Sequence, residues 1–294
     1  MKRVLVIGSK GNLGKDLVKV FEDDINWEVF GYDKEDIDIT SEQSLREKID
    51  GIEPTAVVNA AAYNAVDKCE TDEAEYELAK KINGYGPGYL AKICKEKDIS
   101  LTHYVSDYIF DGKKGEYVEN DQPNPINNYG RSKYLGEQKV RENTDKFYLV
   151  RTSKLFGTPG NSSAAKPNFF DIMIRLSKNN DILKVVDDEK SCFTYTPDLA
   201  LETKKMIDEQ ISFGIYHVVN EGPCTWYEAV KELFKLSGIS AKVIPVSSSE
   251  FPRPAKRPKS SVLLNTKLKP LRHYTEALKE YLKAEHPELM NSGK

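Results

Sequence analysis

The chain begins with an apolar run, Val4-Leu-Val-Ile7, that stops at Gly8-Ser-Lys-Gly11-Asn-Leu-Gly14. An uninterrupted apolar run of this kind reads as a strand buried on both faces. The stretch after it, Asn12–Glu22, places Leu13, Leu17, Val20 and Phe21 on one helical face. A glycine turn between strand and helix lets backbone N–H groups approach a pyrophosphate, and the helix dipole favours the anion. The spacing is G-x-x-G-x-x-G rather than the commoner G-x-G-x-x-G. A purely structural turn would carry the same glycines, but the position between strand and helix is the context a dinucleotide loop requires.

The alternation set up by this unit continues. Trp27–Tyr32, Thr55–Asn59, Ile99–Val105 and Phe147–Arg151 read as strands. Helices are expected over Ser41–Ile49, with Ser41 as N-cap, and over Asp72–Lys97, disturbed near Gly84-Tyr-Gly-Pro-Gly88. This rhythm predicts an α/β fold, a doubly wound parallel sheet of Rossmann type, with ligands at the carboxyl ends of the strands.

After Arg151 the rhythm loosens. Thr158–Pro167 reads as a loop, Asn168–Ser177 as a helix and Ile182–Val186 as a strand. A helix over Asp198–Glu209, a strand over Gly214–Val219 and a helix over Trp226–Leu236 follow. Phe251–Pro258 carries three prolines and cannot be regular structure. Glu276–Ala284 is expected as the terminal helix, with the last residues frayed. The 294 residues suit one large domain or two unequal ones. The expected division is a dinucleotide-binding domain over 1–153 and a mostly substrate-binding domain over 154–294. The strands near 182–186 and 214–219 are expected to return to the first sheet.

Three further groups of residues carry chemistry. Asp33, at the end of the second predicted strand, is placed to bond the ribose hydroxyls of an adenosine, and Asp38 to reach the adenine. Lys34 can meet a 2′-phosphate or sit in solvent, so NADH and NADPH both stay open. In Tyr129-Gly-Arg-Ser-Lys133, the phenol and the ammonium share one helix face. A free phenol has a pKa near 10, and a neighbouring ammonium is expected to lower it toward a useful acid–base range. Ser106, at the end of the fourth predicted strand, can polarise the same carbonyl oxygen.

Other classes are excluded by composition. The formal charge of −3 argues against nucleic acid as the main partner. No stretch approaches the length of a membrane helix, and the first apolar run is too short for a signal-peptide core. Four scattered cysteines and four scattered histidines form no metal-ligand spacing, so no metal is assigned. Reduced thiols and a cytoplasmic location are expected.

Taken together, these motifs resemble the extended short-chain dehydrogenase/reductases, and more narrowly the dTDP-4-dehydrorhamnose reductase family. The similarity runs through Val57-Val-Asn-Ala-Ala-Ala-Tyr63, Ala65-Val-Asp-Lys68, Ser106-Asp-Tyr-Ile-Phe-Asp-Gly112, Tyr129-Gly-Arg-Ser-Lys-Tyr-Leu-Gly-Glu137, Arg151-Thr-Ser153, Val185-Val-Asp-Asp188 and Tyr195-Thr-Pro-Asp-Leu-Ala200. It continues through Gly214-Ile-Tyr-His217, Thr225-Trp-Tyr-Glu228 and Arg257-Pro258.

The resemblance implies NAD(P)H-dependent reduction of the 4-keto group of a nucleotide-linked 6-deoxysugar, in the supply of cell-surface polysaccharide precursors. It places the catalytic Tyr and Lys on Tyr129 and Lys133, and the catalytic Thr on Ser106. The implied cofactor contacts are Gly8, Lys10, Gly11, Asn12, Leu13, Gly14, Asp33, Lys34, Asp38, Ile39, Asn59, Ala60, Ala61, Ala62, Tyr63, Asn83, Tyr129 and Lys133. The implied substrate contacts are Ser106, Asp107, Tyr108, Lys154, Trp226 and Arg257. Many relatives are dimers, which implies a homodimer. The departures gather in the substrate half: Lys154 stands where the family favours Trp, and Glu189-Lys-Ser-Cys-Phe-Thr194 and Arg257-Pro-Lys-Ser-Ser261 differ from its pattern. Lys154, Lys190 and Lys259 can meet an extra anionic group or remain solvated. A nucleotide-sugar epimerase or dehydratase, and a non-catalytic cofactor-binding regulatory subunit, stay open as alternatives.

Overall fold

The computed structural model describes residues 1–161 and 167–290. The end of the loop expected over Thr158–Pro167, apart from Pro167 itself, and the last four residues, expected to fray, therefore lie outside the described residues. The first strand, β1 (Lys2–Ile7), is buried from Val4 onward, as its unbroken apolar run requires. It feeds α1 (Asn12–Glu22), then β2 (Trp27–Tyr32), α2 (Glu42–Ile52) and β3 (Ala56–Asn59). Next come α3 (Gly86–Glu96), β4 (Ser100–Ser106), α4 (Asn128–Asn143), β5 (Phe147–Thr152), α5 (Thr196–Asp208) and β6 (Gly214–His217). The six strands form one parallel sheet in the order β6-β5-β4-β3-β1-β2. The chain fills the sheet outward from β1 in both directions, so the β1/β3 boundary is the switch point where ligands bind in such sheets.

Alternate residues of each strand supply two cores. Leu5, Ile7, Val57, Leu101 and Leu149 join α2 and α3 on one face. Val4, Val6, Val58 and Val150 join α1 and α5 on the other. Burying roughly two apolar side chains per strand residue pair explains why these strands read as continuous hydrophobic runs. A third core, around Phe156, Phe170, Phe193, Leu233 and Tyr281, belongs to the C-terminal region and includes α6 (Trp226–Ser237) and α7 (Tyr274–Glu285).

Three expectations change. The strand at Ile182–Val186 does not return to the main sheet; it pairs in parallel with Lys242–Val246. Its exposed Ile182 and Lys184 leave only one face to bury, which a central strand covered on both sides does not tolerate. The disturbance in the long helix begins at Lys80, as a π-helical stretch over Lys80–Tyr85 between Glu73–Ala79 and α3. The helix expected to be terminal is followed by a short turn of helix at Pro287–Met290. No helix among the described residues is long and apolar enough to cross a membrane. The four cysteines are buried and form no disulfide.

Candidate active site

The glycine loop sits at the switch point. The Gly8 N–H donates to the Tyr32 carbonyl at the end of β2, and the Ala60 N–H donates to the Ile7 carbonyl, so the loop is bound on both sides. Gly11 caps α1 and has no side chain to cover the first-turn N–H groups, which have no partner inside a helix. A Cβ on Gly14 would lie 1.9 Å from the Gly8 carbonyl oxygen, so only glycine lets the helix approach its own strand here. Asp33 accepts the Lys10 N–H at 3.1 Å and the Lys34 N–H at 2.8 Å, which ties the loop to the end of β2. Lys10 Nζ bonds Glu35. Asp38 is exposed and accepts from Thr40, and Ile39 is buried in the core. Open N–H groups at a glycine-capped helix, an acid at the neighbouring strand end and no room for side chains between them fit a dinucleotide.

We expect Gly14→Ala to weaken NADPH binding by about 5- to 150-fold, the effect of a distortion of about 1–3 kcal/mol. Fluorescence titration of the bound nicotinamide measures it, and an unchanged dissociation constant would show that the loop does not hold the cofactor.

Asn59 to Tyr63 forms the other wall. Asn59 is fully buried; its Oδ1 accepts the Ala61 N–H and its Nδ2 contacts His103. Burial, then the Lys133 charge, holds the His103 imidazole well below its ordinary pKa, so it stays neutral. Asn83, from the π-helical stretch, exchanges two bonds with the Tyr63 backbone and donates to the Ser132 hydroxyl. This one amide joins the loop of Ala60, Ala61 and Ala62 to α4, the helix that carries the proposed acid. The sequence marked the disturbance but gave no sign of that role.

Helix α4 starts at Asn127, whose side chain accepts the Gly130 N–H. A Cβ on Gly130 would stand 2.2 Å from the Tyr108 carbonyl oxygen, so this glycine lets α4 press against the turn after β4. Ser106 Oγ caps that turn by accepting the Tyr108 N–H and donates to Asp107. The Tyr129 and Tyr108 rings meet edge to face at 5.9 Å. Tyr129 is 8% exposed and donates to Asn64 Oδ1 at 3.2 Å. Lys133 is 4% exposed and its Nζ donates to the Tyr104 carbonyl at 2.8 Å.

The electrostatics differ from the expectation. Burial raises the Tyr129 phenol above its ordinary value, and the Ser106 hydroxyl is the group that pulls it back down. Burial outweighs any lowering by the Lys133 ammonium, and burial brings Lys133 itself down to about 8. For both groups the loss of water outweighs what the neighbouring bonds and charges return. Near neutral pH the pair is a neutral phenol and an ammonium, the protonation a proton donor needs.

On the C-terminal side, Asp107 is buried, accepts from Ser261 at 2.5 Å, and burial raises its pKa. Arg257 does not stand open to a ligand: its guanidinium forms a two-pronged pair with Asp67, at 2.5 and 2.8 Å. Glu189 accepts from the Trp226 indole at 3.2 Å and pairs with Arg253. Lys154 follows β5, and its amine lies 3.8 Å from the centre of the Trp226 ring. The Lys190 N–H donates to the Lys259 carbonyl. Asn64, Asp67 and Glu189 escaped the sequence reading of the site, although Asp67 and Glu189 lie inside motifs it singled out. Surface hollows lined by Asp198 and Arg272, and by Trp27 and Asp208, include none of these groups.

A parallel sheet with a glycine loop at its switch point, beside a buried Tyr–Lys pair on one helix, defines an NAD(P)-dependent oxidoreductase of the short-chain dehydrogenase/reductase type. More narrowly, the chain belongs to the RmlD substrate binding domain family, which matches residues 1–286. It is 35% identical to the spore coat polysaccharide biosynthesis protein SpsK of Bacillus subtilis, over 96% of this chain and 97% of that one. Among solved structures, a dTDP-4-dehydrorhamnose reductase from Clostridium acetobutylicum is 40% identical with a TM-score of 0.88, covering 96% of this chain and 99% of that one. Another, from Bacillus anthracis in complex with NADP, is 34% identical with a TM-score of 0.88, covering 97% and 100%.

Proposed function

We propose that the protein reduces the 4-keto group of a nucleotide-activated 6-deoxysugar with NADH or NADPH. The observation that carries this reading is the buried neutral Tyr129 phenol beside Ser106, one helical turn from the Lys133 ammonium and next to a dinucleotide loop. The relatives named above as dTDP-4-dehydrorhamnose reductases supply the substrate class. The nicotinamide, when bound, supplies the hydride to the carbonyl carbon. Tyr129 passes its proton to the carbonyl oxygen, which takes the place of Asn64 as acceptor. Ser106 donates to the same oxygen and stabilises the charge as it develops. Lys133 holds positive charge behind the phenol as it becomes a phenolate. Tyr108 and Asp107 border the sugar, and the Arg257–Asp67 pair holds the Phe251–Pro258 segment over it.

The test is NAD(P)H oxidation with a dTDP-4-keto-6-deoxyhexose, with product analysis. Stoichiometric cofactor oxidation supports the reading. An isomerised or dehydrated sugar with the cofactor unchanged would overturn it in favour of an epimerase or dehydratase. Tight cofactor binding without turnover of any ketosugar would favour a regulatory subunit.

The Lys133 pKa of about 8 fixes the pH dependence. A lysine depressed to that value is an ammonium below it and neutral above it. We expect kcat/KM for reduction to fall about tenfold between pH 7 and pH 9. Lys154 titrates in the same range, so the profile is measured in Lys154→Met as well. A flat profile in both proteins rules out a required charge on Lys133.

A further inference from the structure

Lys154 departs from ordinary packing in two ways at once. Its φ is +39°, a left-handed conformation that lysine rarely adopts. Its Nζ is buried and has no hydrogen-bond acceptor among the described residues. The amine rests against the faces of Trp226 and Phe193, at 3.8 and 4.9 Å from the ring centres. Aromatic faces attract an ammonium, but they do not replace the oxygen acceptors that its three N–H groups lose on burial.

The nearby acids are engaged elsewhere. Asp107 and Glu189 both act on Lys154 through space. Asp107 takes bonds from Ser106 and Ser261, and Glu189 takes them from Arg253 and the Trp226 indole. Cys192 and Cys224 complete the ionisable surroundings, and both are buried thiols. An apolar side chain of the same length would fill this place without the desolvation cost. A buried donor that breaks local rules without compensation points to a ligand. The ligand's position follows from the surroundings: Asp107, which acts on Lys154 through space, accepts a bond from Ser106, the hydroxyl placed at the reacting carbonyl.

We propose that Lys154 is a specificity residue that donates to an oxygen substituent on the hexose ring of the nucleotide sugar, so that the site discriminates against sugars deoxygenated at that position. This rests on the ketosugar reading above. The hydrogen bond completes the amine's coordination only when substrate is bound.

The experiment compares wild type with Lys154→Met on a dTDP-4-keto-6-deoxyhexose and on its 2-deoxy and 3-deoxy counterparts. Wild type should lose roughly 10- to 150-fold in kcat/KM on one of the two deoxy sugars, the effect of one hydrogen bond to a charged donor. Lys154→Met should lose a similar factor on the parent sugar and no longer distinguish it from that deoxy sugar. Its melting temperature should equal or exceed that of wild type, since an unsatisfied buried amine has been removed. Wild-type kcat/KM in the variant, or losses that multiply, would overturn the assignment. So would a lower melting temperature with equal loss on all three sugars, which marks a structural role. Failure of wild type to turn over any ketosugar would defeat the ketoreductase reading instead. Calorimetric titration of the cofactor-loaded protein with a dTDP-6-deoxyhexose and its deoxy counterparts then decides Lys154 by the same comparison of dissociation constants.

Discussion

Tyr129→Phe is expected to bind NADPH as wild type does and to reduce ketosugar at least ~1000-fold more slowly, within the range of general acid catalysis. The substitution removes one oxygen from a side chain 8% exposed, and the ring keeps its edge-to-face contact with Tyr108. The bond to Asn64 Oδ1 is lost, but Asn64 is exposed and can turn to water, and Ser106 keeps its bonds to Asp107 and the Tyr108 N–H. The fold should therefore persist, so loss of turnover reports chemistry rather than unfolding. Ser106 remains as a donor to the carbonyl oxygen, but an aliphatic hydroxyl is a far weaker acid than a phenol. Stopped-flow absorbance of NADPH consumption measures the effect. Turnover within tenfold of wild type would mean that the proton comes from elsewhere, and the arrangement around α4 would then be only a cofactor seat.

Glu137→Gln is expected to lower stability by about 3–5 kcal/mol, the consequence of leaving a buried charge without its counter-ion. Arg151 on β5 and Glu137 on α4 are 1% and 0% exposed, and they share two bonds of 2.9 and 2.6 Å. Arg151 also donates to the Glu119 carbonyl at 3.1 Å. The Glu119 carboxylate takes the backbone N–H and hydroxyl of Thr266. His217 lies against the same guanidinium; burial, then Arg151, brings it down to about 4, so it adds no competing charge. The network fastens α4 to the sheet and to the C-terminal segment, and with it the positions of Tyr129 and Lys133. A melting temperature lower by about 5–8 °C is expected in calorimetry. A change of less than ~2 °C would show that Arg151 finds another partner or leaves the interior.

The strands of the main sheet were legible because parallel strands covered on both faces must be apolar without interruption, as in Val4–Ile7. Ile182–Val186 carried a similar signal yet paired with Lys242–Val246, because periodicity reports how much of a strand is buried and not against what. The Tyr129/Lys133 pairing was legible for a local reason, since helical pitch alone puts the two on one face. Their ionisation was not, because it depends on how much water the surrounding elements exclude. Asp67 escaped notice because its partner Arg257 lies 190 residues away.

What the chain of residues determined unaided was the local geometry of a dinucleotide loop and of an acid–base helix face. Both arise within one or two turns of backbone, where glycine sterics and helical pitch leave few choices. Tertiary structure alone decided that the Lys154 amine would lie against Trp226 without an acceptor, that Arg257 would be held by Asp67, and that burial rather than a neighbouring ammonium would set the state of the phenol. Those outcomes depend on which distant segments exclude water from a side chain, and desolvation is a property of the assembled neighbourhood rather than of any stretch of sequence.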